Sequence, residues 1–151
     1  NTHVLLLATL ALPAVALAAD GPREGQWEYT TEMEMPGMAM PKLPEGVKLP
    51  PGMNFGPKSM TTTFKHCVKK DDLVPRNEKD NKCKITKQDR KGNTVTWAAT
   101  CDTPNGPAEG EGTATYSGDS MDSTMKIKGQ SKNGPFEMTQ KMKGKYLGAC
   151  P

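Results

Sequence analysis

The sequence is poor in the residues that build most hydrolytic active sites. It contains two histidines, and only His66 lies beyond the first 19 residues. Neither a G-x-S-x-G nor an H-E-x-x-H motif occurs, so there is no nucleophile–base pair or zinc-protease motif to name. Acidic pairs such as Glu32 and Glu34 are spaced i, i+2 on a predicted strand, which is typical of a solvated face. We therefore predict that the protein is not an enzyme.

Branched aliphatic and aromatic residues are also scarce. Aromatic residues make up 5% of the chain, and Ile85 and Ile127 are its only isoleucines. A core this thin is marginal, so the four cysteines are expected to form two disulfides in an oxidising compartment, each adding about 2–4 kcal/mol of stability. No C-x-x-C pair occurs, which argues against a zinc site. The cysteines predicted to pair are Cys67, Cys83, Cys101 and Cys150.

Two ways of pairing these cysteines are open. A hairpin turn at Lys91–Asn93 would bring Cys83 opposite Ala99 to Cys101, with both cysteines on the Ile85 and Trp97 face, which favours a Cys83–Cys101 disulfide and leaves Cys67 to pair with Cys150. The alternative joins Cys67 to Cys83 and Cys101 to Cys150, and it closes a shorter first loop.

The first 19 residues differ in kind from the rest. Val4 to Ala19 carries no charge, is too short to span a bilayer, which takes about 20 residues, and ends in the small-x-small pattern Ala16-Leu17-Ala18. We predict a signal peptide at 1–19 and a single domain at 20–151. The missing basic segment before Val4 indicates a truncated start. The mature protein is then periplasmic or secreted, with no stable membrane span.

The charge pattern does not favour a nucleic-acid partner. The formal net charge is +3, and lysines alternate with acids throughout the chain. No basic patch is interleaved with aromatic residues, so we predict no nucleic-acid binding.

Alternation of apolar and polar residues dominates the mature sequence. Val95, Trp97 and Ala99 alternate with threonines, and turn residues such as Ser117-Gly118-Asp119-Ser120 separate successive runs. We predict an all-β, antiparallel meander of about seven strands that curls into an open, lipocalin-like barrel or a small sandwich. The predicted strands begin near Gly25, Ser59, Cys83, Thr94, Thr113, Met121 and Phe136.

The segment 36–57 interrupts this alternation. It holds six prolines and four glycines and is predicted to be a long loop without secondary structure. Loops of this length are usually functional or disordered. It could cover an apolar cavity or contact a partner, so the leading prediction is a non-enzymatic envelope protein that binds an unknown ligand or envelope protein through this loop.

A methionine cluster supports a different hypothesis. Met33, Met35, Met38 and Met40 present thioethers, which select Cu(I), and His66 could add an imidazole. The alternative function is therefore a periplasmic Cu(I)-binding protein, with Cu(I) as the one cofactor considered. Against it, methionines also fill other predicted strands, which favours a packing role.

Several short motifs, taken together, resemble a known family. They are GQWE at 25–28, MEMPGM at 33–38, CKIT at 83–86, GNTVTW at 92–97, GEGTATYSGDS at 110–120 and LGAC at 147–150. Their order and spacing are similar to the bacterial domain-of-unknown-function family 3617 across essentially the whole mature domain. The resemblance implies a small exported protein of a Gram-negative bacterium with no assigned activity and no catalytic residues to transfer.

Overall fold

The computed structural model describes residues 21–36, 44–56, 59–76, 82–104 and 106–151, and the predicted signal peptide lies outside them. The described residues form eight β-strands and no helix, so no helix among them could span a membrane. The strands are β1 (Gly25–Glu34), β2 (Met53–Phe55), β3 (Ser59–Val68), β4 (Cys83–Lys91), β5 (Thr94–Thr103), β6 (Gly106–Ser117), β7 (Ser120–Ser131) and β8 (Gly134–Gly148).

All eight strands belong to one antiparallel sheet. Its order is β2-β3-β1-β8-β7-β6-β5-β4, so β2 and β4 are its edges and the sheet is not closed. This confirms the predicted all-β meander, and the single sheet favours the open barrel over the sandwich. The exposed edge strand β4 has the sequence CKITKQDRK, and its charged side chains are the usual protection against edge-to-edge pairing.

The prediction that 36–57 contains no secondary structure was wrong at β2. Met53–Phe55 pairs with β3, with Met53 opposite Thr62 and Phe55 opposite Met60. A three-residue strand between glycines and prolines is too short to produce a periodic signal, and its pairing is decided by the neighbouring strand rather than by local sequence.

The inner face of the sheet is strongly curved. Trp27 on β1 and Tyr116 on β6 are separated by three strand spacings, which is about 14 Å in a flat sheet. Their ring centroids are only 6.0 Å apart. Glycines leave room for two other inner-face rings: a Cβ on Gly112 would clash with the Trp97 indole, and one on Gly144 would lie 2.8 Å from the Tyr29 ring.

Two disulfides link strands of the sheet. Cys83 on β4 is bonded to its direct partner Cys101 on β5, and Cys67 on β3 is bonded to Cys150, just beyond β8. This confirms the favoured pairing. The second bond spans β1, which lies between β3 and β8.

One end of the curved sheet is filled by rings, and we name it the aromatic end. Trp27 and Tyr29 are fully buried, Trp27 stacks on Tyr29, and it meets Tyr146 edge-on. Tyr29 also contacts Phe64, with 5.5 Å between the ring centroids. The aromatic end comprises Trp27, Tyr29, Phe64, Tyr116 and Tyr146.

Candidate ligand-binding site

Methionines occupy the inner face in an ordered way. Every methionine within a described strand faces inward, because each lies in register with Trp27, Tyr29, Thr31, Met33 or another inward residue. Met121 and Met142 are buried, whereas the others are only partly buried. We name the partly buried set the methionine belt: Met33, Met53, Met60, Met125 and Met138.

One row of inward residues crosses five strands and includes three members of the belt. Phe55, Met60, Met33, Gln140 and Met125 are successive cross-strand partners over β2, β3, β1, β8 and β7. Directly opposed residues have Cβ atoms about 4.5–5.5 Å apart, so the side chains in this row lie side by side on the inner face. The described part of the loop predicted to bind a ligand thus adds Phe55, as well as Met53, to the inner face.

A large cavity lies on the outer face, near the end of the sheet opposite the aromatic end. Its volume is about 1240 Å³, larger than the roughly 300–1,000 Å³ of typical ligand pockets. Its outward-facing lining includes one row of successive cross-strand partners: Lys84, Thr100, Glu109, Lys128 and Glu137. We name this cavity the outer cavity. Its apolar lining includes Pro36, Cys101, Ala108, Pro135 and Phe136.

The charges around the outer cavity are balanced. Three lysines, Lys82, Lys84 and Lys128, line it together with three acids, Asp102, Glu109 and Glu137. Lys128 Nζ lies 3.6 Å from Glu137 Oε2. The rim therefore gives no preference for a ligand of one charge.

The aromatic end is covered by the connection between β3 and β4. Val74 and Pro75 are buried there, and the Tyr116 hydroxyl donates to the Leu73 carbonyl at 3.4 Å. The chain before β1 packs at the same end: Trp27 Nε1 donates to the Arg23 carbonyl, and the Arg23 guanidinium lies 4.1 Å above the Tyr146 ring.

The predicted metal ligands are not all brought together. Met33 and Met35 are partly buried, and Met38 and Met40 lie outside the described residues. His66 is the partner of Trp27, six residues along β1 from Met33, which places it about 20 Å away at roughly 3.3 Å per residue. Its Nε2 instead lies 3.6 Å from Asp72 Oδ2.

Among the described residues, no group of three or more His, Cys, Asp or Glu side chains could hold a metal ion. The pair that the register does create is Met33 opposite Met60. Sequence reasoning placed both methionines on inward faces, but the register between β1 and β3 was needed to oppose them. Gln140 was placed on an inward face as well, although its position inside the methionine row also depends on register.

Two buried hydroxyls lack a hydrogen-bond partner among the described residues. They are Tyr29 Oη and Thr31 Oγ1, which belong to successive inward positions of β1. Burial, the largest cause, raises the pKa of the Tyr29 hydroxyl well above its ordinary value, and Tyr116 and Asp72 add to the effect. The pKa of Tyr116 is raised chiefly by burial and further by Asp72.

These shifts predict a loss of stability at high pH. The folded-state pKa lies above the unfolded value of about 10, so the stability is complete below about pH 10 and falls above it, when only the unfolded state ionises. The decline is up to about 1.4 kcal/mol per pH unit for each tyrosine. Urea unfolding between about pH 9 and about pH 11.5 measures it, and Tyr29→Phe should remove about half of the slope. Phenolate absorbance that titrates fully near pH 10 in the folded protein would contradict this prediction.

The fold defines a small, disulfide-bonded, open β-barrel with an aromatic end and a methionine belt on its inner face. A family model described as "Protein of unknown function (DUF3617)" matches residues 22–150, and the chain belongs to that family. This confirms the family to which the sequence motifs pointed. Neither a curated protein nor a solved structure matches the chain.

Proposed function

We propose that this protein is a non-enzymatic binding protein of the bacterial envelope, exported to the periplasm or secreted, that holds an apolar ligand on its inner face. The observation that supports it best is β2, which joins the 36–57 loop to the sheet and sets Phe55 in one row with Met60 and Met33. The described part of the loop and the sheet then form one binding surface rather than two.

The composition of this surface suits an apolar ligand. Methionine side chains are flexible and polarisable, and they are common where a protein surface accommodates ligands of varied shape. In the methionine belt they stay partly accessible, whereas the aromatic end is packed.

Export is supported by the disulfides. Disulfides form and persist in oxidising compartments, and both bonds here close without a free cysteine among the described residues. The composition of residues 1–19 differs from that of the rest of the chain, which supports a cleaved signal peptide. The family resemblance favours a Gram-negative envelope.

The neutral fluorescent probe N-phenyl-1-naphthylamine tests the proposal. We expect it to bind the wild-type protein with enhanced emission and to alter the fluorescence of Trp97, which lies in the same inward row as Met125 through Gly112. The variant Met60→Gln/Phe55→Gln should bind about tenfold more weakly, a change of about 1.4 kcal/mol.

Val47→Gln is the matched control, because Val47 is an exposed apolar residue of the same loop. It should bind the probe like the wild type. A wild-type protein that does not bind the probe, or equal loss in the control, would reject the inner face as the site.

A Cu(I)-binding function is the second candidate, and the opposition of Met33 and Met60 favours it. Two inward thioethers at this spacing can reach one ion. With all four cysteines in disulfides, thioethers are the soft ligands left in the protein. His66 is too distant to complete this pair.

Titration with Cu(I) against a competing chelator separates the two candidates. If the ion binds at this pair, Met33→Leu/Met60→Leu abolishes competition, whereas Met38→Leu/Met40→Leu retains it. The converse result would place the ion in the 33–40 segment as the sequence pattern suggested. Wild-type protein that does not compete with the chelator would leave the methionines as packing residues.

A further inference from the structure

The methionines of the inner face differ in how far they are shielded from solvent. Met121 and Met142 are buried, with 1% and 7% of their surfaces exposed. The methionines of the belt are partly exposed. An oxidant in solution has to contact the sulfur that it oxidises, so it reaches the belt before the two buried residues. Oxidation at the belt therefore alters the proposed binding surface and spares the packing around Met121 and Met142.

Few other readily oxidised side chains of the inner face are as accessible as the belt. All four cysteines are in disulfides, which leaves no free thiol. The two tryptophans, Trp27 and Trp97, are only 0% and 6% exposed. On the inner face of the described strands, the belt thioethers are therefore the accessible groups that oxidise most readily.

The row of inward residues that crosses the belt contains one amide. Gln140 lies between Met33 and Met125, as the direct cross-strand partner of each. A thioether sulfur is a weak hydrogen-bond acceptor, whereas a sulfoxide is polar and its oxygen accepts. The Gln140 amide carries two N–H donors, and its Cβ lies about 4.5–5.5 Å from those of its two partners. Gln140 is therefore placed to donate to a sulfoxide oxygen on either methionine.

We propose that the methionine belt is a site of reversible methionine sulfoxidation by hypochlorous acid, and that the oxidised belt releases its apolar ligand. A sulfur lone pair takes chlorine from hypochlorous acid with loss of hydroxide, and water then displaces chloride. One S–O bond forms, the sulfur loses two electrons, the chlorine is reduced to chloride and one net proton is released. Methionine sulfoxide reductases reverse the change, with a dithiol that becomes a disulfide as water leaves.

The release of ligand rests on the proposed binding function. Each sulfoxide places a polar oxygen where the reduced belt offers an apolar surface, and an apolar ligand cannot bond to that oxygen. Gln140 gives the oxygen a partner within the protein, so the oxidised belt stays folded while its affinity for the ligand falls.

Limiting hypochlorous acid, added to the folded, disulfide-bonded protein and quenched with free methionine, tests the inference. Peptide mass spectrometry should find sulfoxide at the belt before Met121 and Met142. Binding of N-phenyl-1-naphthylamine should weaken about tenfold, with unchanged far-ultraviolet circular dichroism. Methionine sulfoxide reductases with thioredoxin should restore binding, and untreated protein carried through the same reduction is the control. Oxidation of the buried pair as early as the belt, or loss of the sheet signal, would overturn the inference.

Leucine variants assign the effect to the belt, since leucine has nearly the volume of methionine and does not form a sulfoxide. Met33→Leu/Met60→Leu/Met125→Leu should bind the probe like the untreated wild type and keep that binding after treatment. Met121→Leu/Met142→Leu is the matched control and should lose binding on treatment as the wild type does. Equal loss in the two variants would overturn the inference.

Gln140→Leu tests the role of the amide. It should lower the melting temperature of the treated protein more than that of the untreated protein, because only the sulfoxides need its donors. Treated wild-type protein that binds the probe as tightly as untreated protein would overturn the inference and leave the proposed function intact. Failure of the untreated protein to bind the probe would overturn both.

Discussion

Replacing Cys67 and Cys150 with alanine is expected to lower the free energy of unfolding by about 4.5 kcal/mol. The two cysteines are 83 residues apart in sequence, so the bond closes a long loop in the unfolded chain and removes much of its conformational entropy. Because small domains are stable by only about 5–15 kcal/mol in total, the variant should be close to unfolding at room temperature.

The other disulfide provides the matched comparison. Cys83 and Cys101 are 18 residues apart, and the same relation gives about 3 kcal/mol for their removal. This bond also lies at the edge of the sheet, between β4 and β5, whereas the Cys67–Cys150 bond spans the interior strand β1. Urea unfolding of both double alanine variants, followed by circular dichroism, measures the difference. A larger loss at Cys83 and Cys101 would mean that native-state packing, rather than loop entropy, dominates at these bonds.

The parts of the fold that were predictable from sequence are those in which local pattern and tertiary structure agree. Trp27, Tyr29 and Met33 share one face by simple alternation, and the same face is buried in the sheet. The hairpin between β4 and β5 follows from its short turn, which is why the pairing of Cys83 with Cys101 could be favoured.

Longer-range register was not available from the pattern. His66 and Met60 were correctly placed on one face of β3, but a shared face says nothing about distance along the strand. The register with β1 separates the His66 position from that of Met33 by six residues. A metal site that combined His66 with Met33 was therefore consistent with the face that they share, but not with the distance between them. Likewise, β2 forms because β3 offers an edge with which it can pair, and nothing in its three-residue sequence Met-Asn-Phe alone requires a strand.

The candidate site was predictable in composition but not in position. The sequence marked 36–57 as the binding segment and the methionines as adaptable packing, and both features meet in the row that contains Phe55, Met60 and Met33. The unpaired hydroxyls at Tyr29 and Thr31 gave no sequence signal, because serine, threonine and tyrosine on inner faces usually find partners.

Trp27→Ala is expected to lower the free energy of unfolding by about 3–5 kcal/mol, the range for truncating a large buried aromatic side chain. Trp27 is fully buried, and its ring contacts Tyr29, Tyr116 and Tyr146. Its indole also donates to the Arg23 carbonyl at 2.8 Å, which ties the chain before β1 to the aromatic end. Truncation therefore removes packing between distant strands and one hydrogen bond at once.

Urea unfolding followed by far-ultraviolet circular dichroism measures this loss without relying on the deleted fluorophore. Leu147→Ala is the control, since Leu147 is 44% exposed and should change stability by no more than about 0.5 kcal/mol. Trp27→Phe should lie between them, because it keeps part of the ring contacts and loses the bond to Arg23. A loss below about 1 kcal/mol for Trp27→Ala would mean that the aromatic end can collapse around the deletion. The aromatic end would then be as adaptable as the methionine belt. The division of the inner face into a packed aromatic end and a partly accessible methionine belt would be wrong.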